Sequence, residues 1–159
     1  MFTIVPANLN LAEHATALVS LLDHYARDPM GGATPLKSTT RENLVAELLK
    51  RPTAHIVLAF DGATPAGMII SFEGFSTFAC QPLLNIHDVI VHSNYRGQRL
   101  FNQMLAQLET TAVKLGCCKL TMEVLEGNHA ALSAYKASGF AGYELDPEMG
   151  KAIFWQKKL

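Results

Sequence analysis

Three groups of residues have types and spacings suited to chemistry. The first is Asn94-Tyr95-Arg96-Gly97-Gln98-Arg99-Leu100-Phe101, which leads out of an apolar run and into an amphipathic stretch. Arginines and a glycine at the start of a helix make an anion site. The first helical turn has backbone N–H groups without partners, and the macrodipole adds partial positive charge there. A diphosphate satisfies both. The second group is His87-Asp88, inside the apolar run 83–91. A histidine side chain titrates near neutrality and can accept a proton, directly or through water. A carboxylate among apolar neighbours needs a partner. The third is Asn128 and Tyr135, whose spacing of seven puts both on one helical face. Structural readings stand beside each: a hydrogen-bonded sheet histidine for His87, a paired carboxylate for Asp88, a helix N-cap for Asn128 and a core aromatic for Tyr135.

The elements that must position these groups follow from periodicity. Residues 83–91 are rich in β-branched types and read as a mostly buried strand. Phe101, Met104, Leu105, Leu108, Ala112 and Leu115 recur at helical spacing, and Gly116 stands where a glycine cap belongs. Upstream, a short strand at 2–5 precedes two helices. The first carries Leu11, Ala15, Leu18, Leu22 and Tyr25, and the second Leu44, Val45, Leu48 and Leu49. Asn10 with Glu13, and Thr39 with Glu42, have capping-box spacing at their starts. Residues 27–35 form a loop on Pro and Gly content. Strands at 55–60 and 67–73 flank Asp61-Gly62-Ala63-Thr64, a hairpin turn. A strand at 119–125, a short helix at 130–138 closed by Gly139, and two final strands at 140–144 and 152–156 complete the chain. The order β-α-α-β-β-β-α-β-α-β-β predicts an α/β sandwich on a mixed sheet.

Composition excludes several classes. At 159 residues, 49% hydrophobic and 17% charged, the chain is one folded domain, residues 1–159, with no repeat or linker. A net charge of -1 gives no general attraction to nucleic acid or an anionic membrane. The N-terminus lacks a basic segment followed by a long apolar one, and no apolar run reaches the ~20 residues that span a bilayer, so a cytoplasmic protein is expected. Cys80, Cys117 and Cys118 have neither disulfide nor zinc spacing and read as ordinary buried thiols. His14, His24, His55, His92 and His129 are scattered, so no metal site is expected.

The turn at 95–100 resembles the acyl-CoA pyrophosphate loop of the GNAT superfamily of N-acetyltransferases, whose pattern is Arg/Gln-x-x-Gly-x-Gly/Ala. Arg96 and Gly97 are kept, whereas Arg99 and Phe101 stand at the two later small-residue positions. Asn128 and Tyr135 match residues of the helix after that family's fifth strand, and the element order matches too. Ile86-His87-Asp88-Val89-Ile90-Val91 is similar to a Leu-Glu-Asp segment of spermidine/spermine (diamine/thialysine) N-acetyltransferase-like enzymes, with His87 in place of the glutamate.

The resemblance implies a GNAT-like α/β/α sandwich on a centrally splayed sheet of about seven strands with about four helices. It implies acetyl-CoA as co-substrate. Arg96, Gly97, Gln98, Arg99, Leu100 and Phe101 would hold its pyrophosphate, and Val89, Ile90 and Val91 its pantetheine, with Asn128 and Tyr135 contributing. Tyr135 would protonate the departing thiolate. An ammonium of pKa ~10 has no lone pair, so a base is required near the acceptor, and His87 is preferred, with Asp88 beside it. Glu73 is a lesser partner for the acceptor's ammonium. The expected reaction is direct acetyl transfer to a primary amine of a small molecule, with no metal, nucleic acid or membrane, in a homodimer paired through C-terminal strands. A protein or peptide acceptor, and a non-catalytic acyl-CoA sensor, are the alternatives.

Overall fold

A computed structural model describes the whole chain, Met1–Leu159, which divides into two compact units, Met1–Met122 and Glu123–Leu159. The first unit holds a five-stranded sheet: β1 (Thr3–Pro6), β2 (Ala54–Asp61), β3 (Thr64–Ser76), β4 (Gln81–Val91) and β5 (Leu120–Met122), in that spatial order. The first four pair antiparallel, and β5 lies parallel to β4. Helices α1 (Ala12–Ala26) and α2 (Ser38–Leu49) precede β2, and α3 (Leu100–Lys114) connects β4 to β5.

The sheet is mixed because the hairpins β2–β3 and β3–β4 are tight, while α3 supplies the long crossover that a parallel pair requires. One face buries Leu58, Phe60, Met68, Ile70 and Ile90 under Leu18, Leu21 and Leu48 of α1 and α2. The other takes α3 through Leu100, Met104, Leu105 and Leu108. Each such side chain contributes about 1.5–3 kcal/mol when fully buried. Gly67 makes the second layer close: a Cβ there would lie 2.9 Å from the Ile90 carbonyl oxygen and 3.0 Å from Met104 Cε.

Several expectations are corrected. The sheet has five strands rather than about seven, since residues 140–144 and 152–156 form no strand; the one bridge beside them joins Glu144 to Lys151. Their aromatic and β-branched content (Phe140, Tyr143, Ile153, Phe154, Trp155) suits a strand, but composition makes one only where an edge accepts its N–H and C=O groups. The strand expected at 119–125 shortens to β5. Neither capping box forms: α1 starts after Leu11, with Asn10 N–H donating to Asn8 Oδ1, and Thr39 lies inside α2. Cys80 and Cys118 are exposed and Cys117 is half-buried, so the thiols are not core residues. Burial still pushes the Cys117 thiol above its usual range.

The second unit contains α4 (His129–Ala137), ending near Gly139 at φ +89°. Beyond α4, Leu145, Ile153, Phe154 and Trp155 are exposed.

Candidate active site

β4 carries the site, and a break in its register shapes it. Val89 pairs with Ile69 and Asp88 with Ile70, but Ser71 pairs with Ile86, which leaves His87 as an extra residue without an opposite number. Such a bulge re-aims side chains. Directly opposed residues project to one face, so Asp88 shares the α1 face with Ile70, and the His87 ring stands edge-on to Phe72 on that same face at 5.7 Å. Two consecutive polar side chains therefore share a face, which a regular strand forbids. Burial raises the Asp88 carboxyl above its usual range, opposed in part by His87, and the carboxylate has no hydrogen bond or salt bridge within the protein. Burial and the charge of Asp88 in turn raise the phenol of Tyr25, whose hydroxyl donates to the Met30 carbonyl at 3.2 Å.

The next stretch of β4 has an open edge. His92 N–H donates to the Ala66 carbonyl. Stepping back by twos along an antiparallel ladder, Ile90 and Asp88 point their backbone groups toward β3, so Val89 and Val91 point theirs away from it. On that far side β5 pairs only with Leu84, Asn85 and Ile86. Ile90 turns its side chain into the core.

The turn after β4 is left-handed at two residues, Gly97 (φ +77°) and Arg99 (φ +56°, ψ +25°). Arg99 thus occupies the backbone conformation that glycine adopts most freely. Phe101 at the second departing position is 7% exposed and faces the core, so its bulk does not fill the turn. The backbone N–H groups of Gly97, Gln98, Arg99 and Leu100 donate to no protein group, and the first turn of α3 has no acidic residue. That bare donor set at a helix start fits a diphosphate. The Arg96 guanidinium points elsewhere: Nη2 meets Asp28 Oδ2 at 2.7 Å and Nε donates to the Val91 carbonyl at 3.4 Å. The Arg96 hydrogen bond, then that from Met30 N–H, holds the Asp28 carboxyl below its usual range. His24, Asp28 and Tyr25 thus belong to the surroundings of β4's end, and sequence reasoning missed all three. Asp28 lies 68 residues from Arg96 in the chain, and no local pattern announces such a contact.

Glu73 is partly exposed and lies 3.7 Å from His55 Nε2. In the second unit, Asn128 Oδ1 accepts from Ala131 N–H at 3.2 Å and caps α4. Tyr135, on the same helix, sets its ring against Phe140 at 6.2 Å. No group of three or more potential metal ligands occurs, and no helix is long and apolar enough to cross a membrane.

Residues 18–140 match the profile of the acetyltransferase (GNAT) family, and the chain belongs to that family. It is similar to a Bos taurus thialysine N-epsilon-acetyltransferase, 29% identical over 96 residues, 60% of this chain. The chain spans about half the length of that relative, 53%. A Caenorhabditis elegans thialysine N-epsilon-acetyltransferase is 26% identical over 123 residues, covering 77% of this chain and 74% of the relative. Among solved structures, an aminoglycoside acetyltransferase from an uncultured soil metagenomic sample, in complex with sisomicin, superposes with a TM-score of 0.80 at 14% identity, covering 99% of this chain and 96% of its own. That likeness is one of fold.

Proposed function

We propose that the protein is an acetyl-CoA-dependent N-acetyltransferase that moves acetyl directly to a primary amine of a small molecule. The observation that carries this reading is the sequence of stations along one strand: a bulge presenting His87 and Asp88, an edge at Val89 and Val91 that β5 leaves uncovered (the Val91 carbonyl taken by Arg96 Nε), and bare N–H groups from Gly97 to Leu100. A coenzyme with a diphosphate at one end, amides in its arm and a thioester at the other fits that order. The diphosphate lies on the turn, where Arg99 adds an exposed cation. The arm pairs with the strand edge as an added half-strand would, and a strand N–H polarises the thioester carbonyl.

His87 takes the proton from the acceptor ammonium, and the freed amine attacks the carbonyl carbon. Asp88 attracts the acceptor's positive charge. Burial disfavours its charged form, and a cation beside it favours that form. Tyr135 protonates the departing thiolate, a role that rests on its match to the family's pattern. Holding both reactants in one complex supplies much of the rate. The relatives named for thialysine favour an acceptor with a lysine-like side-chain amine.

Release of free thiol from acetyl-CoA, measured against polyamines, lysine-like amino acids, aminoglycosides and peptides, tests the reading. Turnover is expected with small diamines and lysine-like amines and not with peptides. Tyr135→Phe should keep acetyl-CoA binding and lose turnover. Binding of acetyl-CoA with no thiol release from any acceptor would instead establish a sensor. The left-handed backbone at Arg99 removes the main motive for that alternative, because the turn keeps its shape without glycine.

A further inference from the structure

The short helical turn Ser93–Tyr95, between β4 and the bare-donor residues, is held by two imidazoles. His24 Nε2, in the last turn of α1, accepts from Ser93 N–H at 3.4 Å, and His92 Nδ1 accepts from Asn94 N–H at 3.3 Å. The two rings stack with centroids 4.0 Å apart and planes 20° from parallel. A nitrogen that accepts carries a lone pair, so both rings are neutral here, with their protons on His24 Nδ1 and His92 Nε2. Protonating His24 Nε2 or His92 Nδ1 aims an N–H at an N–H. Protonating both rings also stacks two cations face to face.

We propose that His24 and His92 are positioning residues for the coenzyme turn: neutral, they pin Ser93 and Asn94 and keep residues 97–100 shaped for phosphate; protonated, they release that turn. The proposal rests on the coenzyme reading above. Arg96 from the turn and Asp28 from the loop after α1 are the charged groups facing His24, and Tyr95 lies 6.0 Å from His92. The Arg96–Asp28 bridge spans the same two segments, so the stack and the bridge act together. Burial, then the neighbouring His92 and Arg96, lower the His24 pKa from 6.5, while Asp28 opposes them. A histidine with a lowered folded value binds fewer protons folded than unfolded. The link is therefore complete above about pH 6.5 and is lost as pH falls through the folded value.

Two measurements on the full chain test this. The first follows imidazole nitrogens and the Ser93 and Asn94 amides by NMR, without coenzyme. Unprotonated His24 Nε2 and His92 Nδ1 are expected near neutrality, with a midpoint for His24 below 6.5 and amide shifts that follow the same transition. The opposite tautomers, or amides that ignore the titration, would overturn the proposal. The second measures coenzyme A affinity by calorimetry from about pH 7.5 to 5.5, in wild type and in the double variant His24→Gln/His92→Asn. The Gln oxygen stands in for Nε2 and the Asn oxygen for Nδ1, and neither titrates. The 3′-phosphate of coenzyme A itself titrates near pH ~6, so the readout is the difference between the proteins. Wild type should lose up to about tenfold more affinity per pH unit than the variant for each proton coupled. Parallel curves would overturn the proposal. If neither protein binds coenzyme A at any pH, the coenzyme reading fails, and the NMR titration still decides whether the imidazoles hold the turn.

Discussion

β3 and β4 are neighbours in one sheet and treat a polar residue in opposite ways. β3 is buried without interruption from Ala66 to Ser71, with a strand on each side for most of its length. Its buried hydroxyl, Ser71, is fully satisfied, donating to the His55 carbonyl at 2.8 Å. β4 has a partner on its far side over three residues only, and its half-buried carboxyl at Asp88 meets the charge of His87 but no hydrogen-bond donor within the protein. Sheets satisfy buried polar groups almost everywhere. A carboxyl shifted by burial is the kind of group that gathers at functional sites, so the contrast singles out β4 as the strand to test.

The contrast breaks most sharply under truncation. Ile69→Ala in β3 removes a fully buried side chain between the sheet and α3. It should cost about 2–5 kcal/mol in denaturant unfolding, whereas no truncation at His87, which is exposed, should approach that. Next in size is Gly67→Ala, where the added methyl would meet the Ile90 carbonyl and the side chains of Met104 and Leu100. A loss of about 1–3 kcal/mol is expected from overpacking. Because Leu100 begins α3, weaker coenzyme A binding should accompany it. Unchanged binding in a destabilised protein would show that the turn does not depend on this layer.

Asp88→Asn sharpens the comparison from the other side. The carboxyl's folded pKa is raised, so the folded state binds more protons than the unfolded one across that window. Its burden on folding therefore appears as pH rises above about 4 and persists at neutrality. The variant should be more stable than wild type near pH ~7, with the gap closing toward pH ~4, while acceptor affinity falls. A variant less stable at neutral pH would mean that Asp88 is a satisfied structural carboxylate.

Legibility in the sequence followed how local each signal was. The hairpin at Asp61-Gly62, the helix of α3 with its Gly116 cap at φ +71°, and the strand–turn–helix order around Gly97 were all readable, because period and glycine placement act within a few residues. The bulge was masked. Leu84, Ile86 and Ile90 are all apolar at even positions, so the change of face between Ile86 and Ile90 leaves the pattern looking regular. Asp88, the polar break in that even series, is the signal that marks it. His24 against His92 and Asp28 against Arg96 had no local signature, because tertiary packing alone joins them. The two C-terminal strands failed for the opposite reason: their local composition suits a strand, but no partner edge is paired with them.

The smallest expected effect separates charge from backbone at the coenzyme turn. Arg99 sits at φ +56°, where a side chain costs roughly 1–2 kcal/mol relative to glycine in that conformation. Glycine gives back about 0.5–1 kcal/mol through the greater freedom of its unfolded chain. Arg99→Gly should therefore raise unfolding stability by no more than about 1.5 kcal/mol. Its effect belongs to the ligand. One exposed cation near a phosphate is worth up to about 1 kcal/mol, so coenzyme A affinity should fall by no more than about fivefold at low salt. The difference should shrink as salt screens it, because exposed charges lose their reach at a Debye length of about 3 Å in 1 M salt. Tighter binding by the variant would reverse the assignment: the backbone strain at residue 99, not its charge, would then be what governs phosphate at this turn.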